Sequence, residues 1–434
     1  MGKTLSSSMN KGRGKASPSI LGRFSETLQN VGLTFGAQLG SRALTAVAMV
    51  LVLKSVTPEE YGVISIVQSI IVVGSGLFLQ GVNWAMIRFV ASSRGSDTIS
   101  ANQFIRSAFD LELVIGFILG GAVMVFPQVV AILLRGGSGT LEFIRWGGVG
   151  IFTFALFLFA TSLLQARSLF LKNATVNGLQ ATVVLLCYAG FFLVGDLNVN
   201  VVITVIVFIP LLAFVVAVAI SDRAWLRTRF NLELVARVFL DSKWFMIYTF
   251  FLLAVNQLDV FMMAHYFSFQ DVGVYSVAAK LYSVVLLSLS AIHTVLLPKL
   301  SANPDKAFLR SFILRSFRYT IPLGSALFVP LILLAPWLVL TLSSSQFVGA
   351  ALPLQILLCG GFAGLVLSPT ANVLFSLNDA KFLVMSSIIL LVLSIAGHTL
   401  FTSRIGAVGA AETVTVSYLI VNAAVATRAL LITR

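Results

Sequence analysis

Apolar residues run along this chain in long, nearly unbroken blocks separated by short polar turns. Twelve blocks stand out. Six lie at about 31–53, 61–83, 109–134, 146–165, 175–195 and 199–220, and six at about 244–267, 272–298, 319–342, 350–375, 382–401 and 406–431. Most reach the 18 or more residues that a helix needs to cross about 30 Å of hydrocarbon. No strand-like alternation runs through them, so the pattern predicts helices and not a β-barrel. The expected fold class is an all-α polytopic membrane protein of about twelve transmembrane helices. A polar, charged segment at 222–243 (DRAWLRTRFNLELVARVFLDSK) divides the blocks six and six. The expected organisation is a basic, disordered tail at 1–27, a six-helix bundle at 28–221, a cytoplasmic linker at 222–243 and a second bundle at 244–434.

Composition agrees with the pattern: 58% of the 434 residues are hydrophobic and 10% charged, unlike a soluble globular domain. The net charge of +13 does not point to nucleic acid, because the cations are scattered over short loops. Their distribution orients the chain instead. With the N-terminus inside, 23 of the 29 Lys and Arg residues fall on the inner side and four on the outer, with Arg42 and Lys280 inside spans. Positive charge collects on the cytoplasmic side. Both termini are therefore expected in the cytoplasm, and the protein in the cell's cytoplasmic membrane. Cys187 and Cys359 lie in apolar blocks with no disulfide or metal-ligand spacing, and no cofactor motif is present.

The two halves repeat. LVLKSVTPEEYGVISIVQSI, at 51–70, aligns with MMAHYFSFQDVGVYSVAAKL, at 262–281, after a shift of 211 residues. Gly62 falls on Gly273, Ser65 on Ser276 and Glu60 on Asp271. With six helices per half the copies share one orientation, the arrangement of a parallel repeat.

The stretches VLKSVTPEEYGVISIVQSI and NQLDVFMMAHYFSFQDVGVYSVAAKLYSVVLLSLSAIHTVLLPKLS resemble the polysaccharide transporter family. These are lipid-linked oligosaccharide flippases of the multidrug/oligosaccharidyl-lipid/polysaccharide exporter superfamily. The resemblance is specific over both hairpins and rests on hydropathy elsewhere. It implies two bundles around a central cleft that opens alternately to each side. It also implies a polyprenyl-diphosphate-linked oligosaccharide as substrate, for cell-surface polysaccharide biosynthesis, with membrane lipids and glycan polymerase machinery as candidate partners.

The polar residues inside the apolar blocks are the candidate site. A guanidinium near the bilayer centre costs at least about 2.5–3.5 kcal/mol, so Arg42 is expected to face a cavity or a partner. At about 100° per residue, Thr34, Gln38, Arg42 and Thr45 share one face of the first helix. Gly32, Gly36 and Gly40 form another, suited to close helix packing. Lys280 occupies the matching kind of position in helix eight, on a face with Ser276 and Ser283. Two cations at depth suggest an anion as cargo. Helix seven places Asn256 and Asp259 on one face. If the hairpin turn centres near 269.5, Asp259 and Lys280 lie at equal depth, and an ion pair is expected. Asp259 is then the candidate ion-coupling carboxylate, releasing Lys280 when it is protonated.

Gln38, Arg88 and Asn256 complete the candidate substrate-binding set with Arg42 and Lys280. Asn177 and Gln180 are candidate sugar contacts or helix glue. His398 and Glu412, placed at similar depths about the turn near Arg404, are a candidate outer gate. Arg106 and Asp110, spaced i, i+4, read as an interface pair.

No Walker A, GxSxG or HExxH motif occurs, and the outer loops are too short for a glycosyltransferase site. Three other functions compete with a flippase. A drug/cation antiporter would prefer a carboxylate-rich cavity. A glycan polymerase or ligase would form product. A scaffold would need no charged stripe.

Overall fold

In the computed structural model, backbone is described for residues 20–76, 79–92, 98–134, 138–301, 306–377 and 379–433. The N-terminal half comprises α1 (Ile20–Ser55), α2 (Pro58–Gly76), α3 (Leu79–Ser92), α4 (Thr98–Val125), α5 (Pro127–Leu133), α6 (Leu141–Ala166), α7 (Phe170–Val194) and α8 (Val199–Ile220). The C-terminal half comprises α9 (Leu232–Tyr266), α10 (Phe269–Ser301), α11 (Lys306–Leu342), α12 (Ala351–Ser376), α13 (Ala380–Gly397) and α14 (Ser403–Ile432). No strand occurs among the described residues. Residues 1–19 of the basic tail, and the side chain of Thr34 and surroundings of Gly32, lie outside the described residues. α1 already begins at Ile20, within the segment expected to be unstructured.

Nine stretches among the described residues are long and apolar enough to cross a membrane, or ten if α2 and α3 form one bent span. One of the nine, Lys381–Ile432, holds two helices that turn back on each other. Gly406 there has φ +59°, a conformation natural to glycine. A Cβ on Gly409 would strike the Phe401 carbonyl, and one on Gly397 would strike the Thr413 side chain. Both pairs are centred on residue 405, so α13 and α14 are separate passes of a tight hairpin. Large apolar side chains face outward where lipid belongs, as at Leu193, which is 84% exposed.

The repeat in the sequence is a repeat in space. Thr57 caps α2: its backbone N–H donates to Glu60 Oε2 at 2.8 Å, and the Glu60 N–H donates to Thr57 Oγ1 at 3.3 Å. Ser268 and Asp271 repeat this reciprocal capping box at the start of α10, with Ser268 Oγ donating to Asp271 Oδ2 at 2.6 Å. The two capped helices cross. A Cβ on Gly62 would collide with the Phe269 carbonyl, and one on Gly273 with the Pro58 carbonyl. Only glycine lets the backbones approach so closely. Tyr61 packs edge-on against Phe347 across the same junction, with ring centroids 6.0 Å apart. The end of the molecule that carries the α1–α2 and α9–α10 turns is thus sealed between the halves.

At the opposite end the segment between the halves is held in place. Residues 224–227 form a short 3₁₀ turn, and 232–243 are already part of α9. Trp225 is fully buried against Phe109 and Phe159. Thr228 Oγ1 donates to the Asn102 carbonyl at 3.1 Å, and the Asn231 N–H donates to Ser107 Oγ at 2.8 Å. Arg167 donates to the Asp222 carbonyl at 2.9 Å and pairs with its carboxylate at 3.0 Å.

Candidate functional site: a cationic cavity

A cavity of about 630 Å³ lies among α1, α2, α6, α7 and α8, and α10 contributes Lys280 to its wall. The first helix supplies Gln38 and Arg42 through the stripe seen in the sequence. Ser41 and Thr45 turn their hydroxyls back onto their own helix, to the Gln38 and Ser41 carbonyls at 2.9 Å each. That leaves the amide of Gln38 and the guanidinium of Arg42 as the polar groups α1 offers the cavity. Gly36 and Gly40, expected to pack tightly, have nothing within 4 Å of an added Cβ. The polar face of α1 meets the site; its glycine face is not a close-packed seam.

Carboxamides line the cavity beside the cations: Gln68 from α2, Gln165 from α6, and Asn173, Asn177 and Gln180 from α7. Asn177 Nδ2 donates to the Asn173 carbonyl at 2.8 Å and to Asn173 Oδ1 at 3.1 Å, which orders this strip. Tyr61 and Tyr188 lie on the wall with Ile64, Val72 and Phe157. Among the described residues no Asp or Glu lines the cavity. Among the described residues neither Arg42 nor Lys280 has an ion-pair partner, so their charge is available to a ligand. Cations with amide donors and acceptors can hold an anionic group and hydroxyl-bearing groups together.

The cavity gathers Gln38, Arg42 and Lys280, and with them Asn177 and Gln180. It does not gather the other candidates. Arg88 is exposed on α3, outside the cavity. Asn256 also lies outside it, with its Oδ1 accepting from the Tyr418 hydroxyl at 2.7 Å. The expected Asp259–Lys280 pair does not form. Asp259 Oδ2 accepts from the Tyr275 hydroxyl at 2.6 Å, and Oδ1 from the Val260 N–H at 2.8 Å. The cause is register. α9 ends at Tyr266 and α10 begins at Phe269, which centres the hairpin at 267.5 and brings residues 275 and 276, not 280, level with Asp259.

His398 and Glu412 lie equally far from the turn at residue 405, as expected, but they do not form an ion pair. His398 is buried, with Nδ1 and Thr402 Oγ1 2.8 Å apart in a π-helical turn. Arg106 and Asp110 do pair, at 2.9 Å. The sequence reading missed Gln68, Gln165 and Asn173. Each sits within or beside an apolar block, and only the folded helices turn them to one space. It also missed Glu112, fully buried on α4 in the run FDLELVIGF. Glu112 lies two residues deeper into that run than Asp110, the one signal that could have found it.

The fold matches solved membrane transporters. A structure of the lipid II flippase MurJ in an inward closed conformation superposes with a TM-score of 0.68 at 17% identity, covering 92% of this chain and 90% of that one. An inward-facing multidrug resistance MATE family transporter of the MOP superfamily gives 0.70 at 13% identity, over 90% and 94% of the two chains. A MOP superfamily transporter from Pyrococcus furiosus, described as having a binding pocket of reverse polarity, gives 0.59 at 16% identity, over 93% and 94%. At these identities the likeness is one of fold. No curated protein sequence matches the chain. The family model described as "Polysaccharide biosynthesis protein" matches residues 54–352, more than half of the sequence. The chain is a multi-pass membrane protein with the fold of these transporters, and it belongs to the polysaccharide biosynthesis protein family.

Proposed function

We propose that this protein is a flippase that moves a polyprenyl-diphosphate-linked oligosaccharide across the cytoplasmic membrane by alternating access, both termini lying in the cytoplasm. One observation carries the reading: Arg42 and Lys280, one from each half, face a single cavity that no carboxylate among the described residues lines. A diphosphate supplies the complementary charge, and the carboxamides of Gln68, Gln165, Asn173, Asn177 and Gln180 suit a glycan's hydroxyls. The lipid tail stays in the bilayer while the head group crosses. The same polarity disfavours an antiporter of cationic drugs, whose cargo would meet two like charges. The sealed junction at Gly62 and Gly273 is the outer gate in this reading. Asp259, held by Tyr275, is the candidate coupling carboxylate of the C-terminal half, and His398 with Glu412 remain a candidate gate pair near their hairpin turn.

The test is transbilayer movement in proteoliposomes that contain purified protein and a polyprenyl-diphosphate-linked glycan. Accessibility of the glycan to an external lectin is followed with time. Protein-dependent movement without new glycosidic product supports the reading. Product formation would make the protein an enzyme, and export of a cationic dye with no movement of the glycan would make it an antiporter.

A further inference from the structure

A second polar site lies away from the cavity, in the core between α3 and α4. Glu112 is 1% exposed and Asn83 3% exposed, and the Asn83 side chain lies beside the carboxyl. Their surroundings include Val82, Met86, Ile105 and Ala108. Among the described residues, both carboxyl oxygens of Glu112 and Oδ1 of Asn83 are buried with no hydrogen-bond donor. Three acceptors left without donors in one apolar region are not a stable arrangement, because each unsatisfied buried group carries its full desolvation penalty.

One added proton relieves most of it. A protonated Glu112 donates to Asn83 Oδ1, which satisfies two of the three oxygens and removes a charge from the core. A metal ion fits poorly: hard cations take six or more oxygen ligands, and three are offered. Among the described residues no charged group neutralises the site either. Arg106 and Asp110, on the same helix, pair with each other. The charges of α2 (Glu59, Glu60) and α6 (Glu142, Arg145) lie at the sealed end. Arg88 of α3, Arg227 of the 3₁₀ turn and Glu233 of α9 lie at the other; Lys243 of α9 is exposed, Asp259 and His265 lie in the sealed-end part of α9, and α5 has none.

The position of Asn83 connects the site to the interface between the halves. Two residues earlier, Gly81 lies on the opposite face of α3, since two residues advance a helix by about 200°. A Cβ on Gly81 would meet the Met246 side chain of α9 at 2.7–3.3 Å. α3 is thus held between α9 on one face and Glu112 on the other.

We propose that Glu112 and Asn83 form a proton-binding site of the N-terminal half, whose occupancy biases the position of α9 against α3. With the proton in place the Glu112–Asn83 hydrogen bond holds α3 to α4. Without it the buried charge has only the Asn83 amide to oppose it, the α3–α4 contact is weakened, and α3 is free to follow α9. The site is independent of what the cavity carries.

The test needs no substrate. The full chain, with Cys187 and Cys359 replaced by Ala, is spin-labelled at exposed Val129 in the N-terminal half and Val348 in the C-terminal half. Label distances are then measured in nanodiscs across pH. The wild-type background is expected to shift its distance distribution with pH, and Glu112→Gln to stay at the low-pH distribution throughout. A pH shift in Glu112→Gln equal to that of the background would overturn the proposal. In infrared difference spectra, a protonated-carboxyl C=O band is expected in the background and absent from Glu112→Gln. A band whose intensity and pH midpoint are unchanged by the substitution also overturns it. If Glu112→Gln does not fold, Asn83→Leu removes the acceptor and is expected to move the pH midpoint of the distance change; an unmoved midpoint refutes the site. A flippase assay that fails while these shifts appear would reject the transport reading and leave the proton site standing.

Discussion

Gly62 and Gly273 touch backbone to backbone where α2 crosses α10, each lying over the turn that holds the carbonyl four residues before the other, at Phe269 and at Pro58. The relation is reciprocal, as in an isologous contact, and it follows the 211-residue shift of the sequence repeat, since 58 + 211 = 269 and 62 + 211 = 273. A two-fold repeat that closes on itself makes a seal from two copies of one motif.

Replacing either glycine by Ala is expected to weaken that seal. An added methyl in a closed contact costs about 1–3 kcal/mol, and 1.4 kcal/mol is about tenfold in population. Labelling of Val274→Cys by a membrane-impermeant maleimide, in a background without native cysteines, should rise about tenfold in both Gly62→Ala and Gly273→Ala. A rise in only one would show that the contact is not reciprocal.

Arg42→Ala and Lys280→Ala are each expected to lower glycan movement at least tenfold at normal expression and unchanged melting temperature. Arg42→Lys should keep part of the activity, because charge persists while the bidentate fork is lost. Full transport by both alanine variants would remove the anion cavity from the mechanism.

The register of the α9–α10 hairpin makes a thermodynamic prediction. Asp259→Asn and Lys280→Met should add in their effects on unfolding free energy within about 0.5 kcal/mol, as non-contacting sites do. Asp259→Asn and Tyr275→Phe share a 2.6 Å hydrogen bond and should show a coupling of about 0.5–3 kcal/mol. Coupling between Asp259 and Lys280 as large as that would restore the ion pair that the register argues against.

The hairpin also marks where the sequence stopped being legible. The helices, the six-and-six division and the repeat are all written in hydropathy, because a bilayer imposes one length and one polarity on every span. Arg42, Gln38 and Lys280 could be found because a charge or amide in such a run stands out against its cost. The Asp259 partner could not. Its depth depends on whether a turn centres at 267.5 or 269.5, and a shift of two residues moves the facing position on α10 by about four. The carboxamides of the cavity are ordinary polar residues until folding turns them to one wall. Glu112 hides because a carboxyl near a helix end reads as interfacial until the length of α4 places it in the core.

The link between the halves is predicted to contribute to stability rather than act as a loose tether. Trp225 is fully buried among aromatic rings, and truncating such a residue costs about 3–5 kcal/mol. Trp225→Ala should lower the melting temperature of the purified protein by several degrees. An unchanged melting curve would mean that the segment is not packed as described.

That link sets the kind of motion open to the molecule. Residues 222–231 are fastened to the N-terminal half by Trp225, Thr228 and Asn231, and α9 departs directly from the last of them. With no slack in the chain, the C-terminal half cannot move away as a body and must swing about a fulcrum near Asn231. α9 has 35 residues, so at 1.5 Å per residue its far end lies about 50 Å from that fulcrum. On such a lever a rotation of about 10° displaces the Tyr266 end by about 9 Å. A modest tilt at the anchored end is therefore enough to part Gly62 from Gly273 completely, and the proposed outer gate would work as the long arm of a lever rather than as a door of its own.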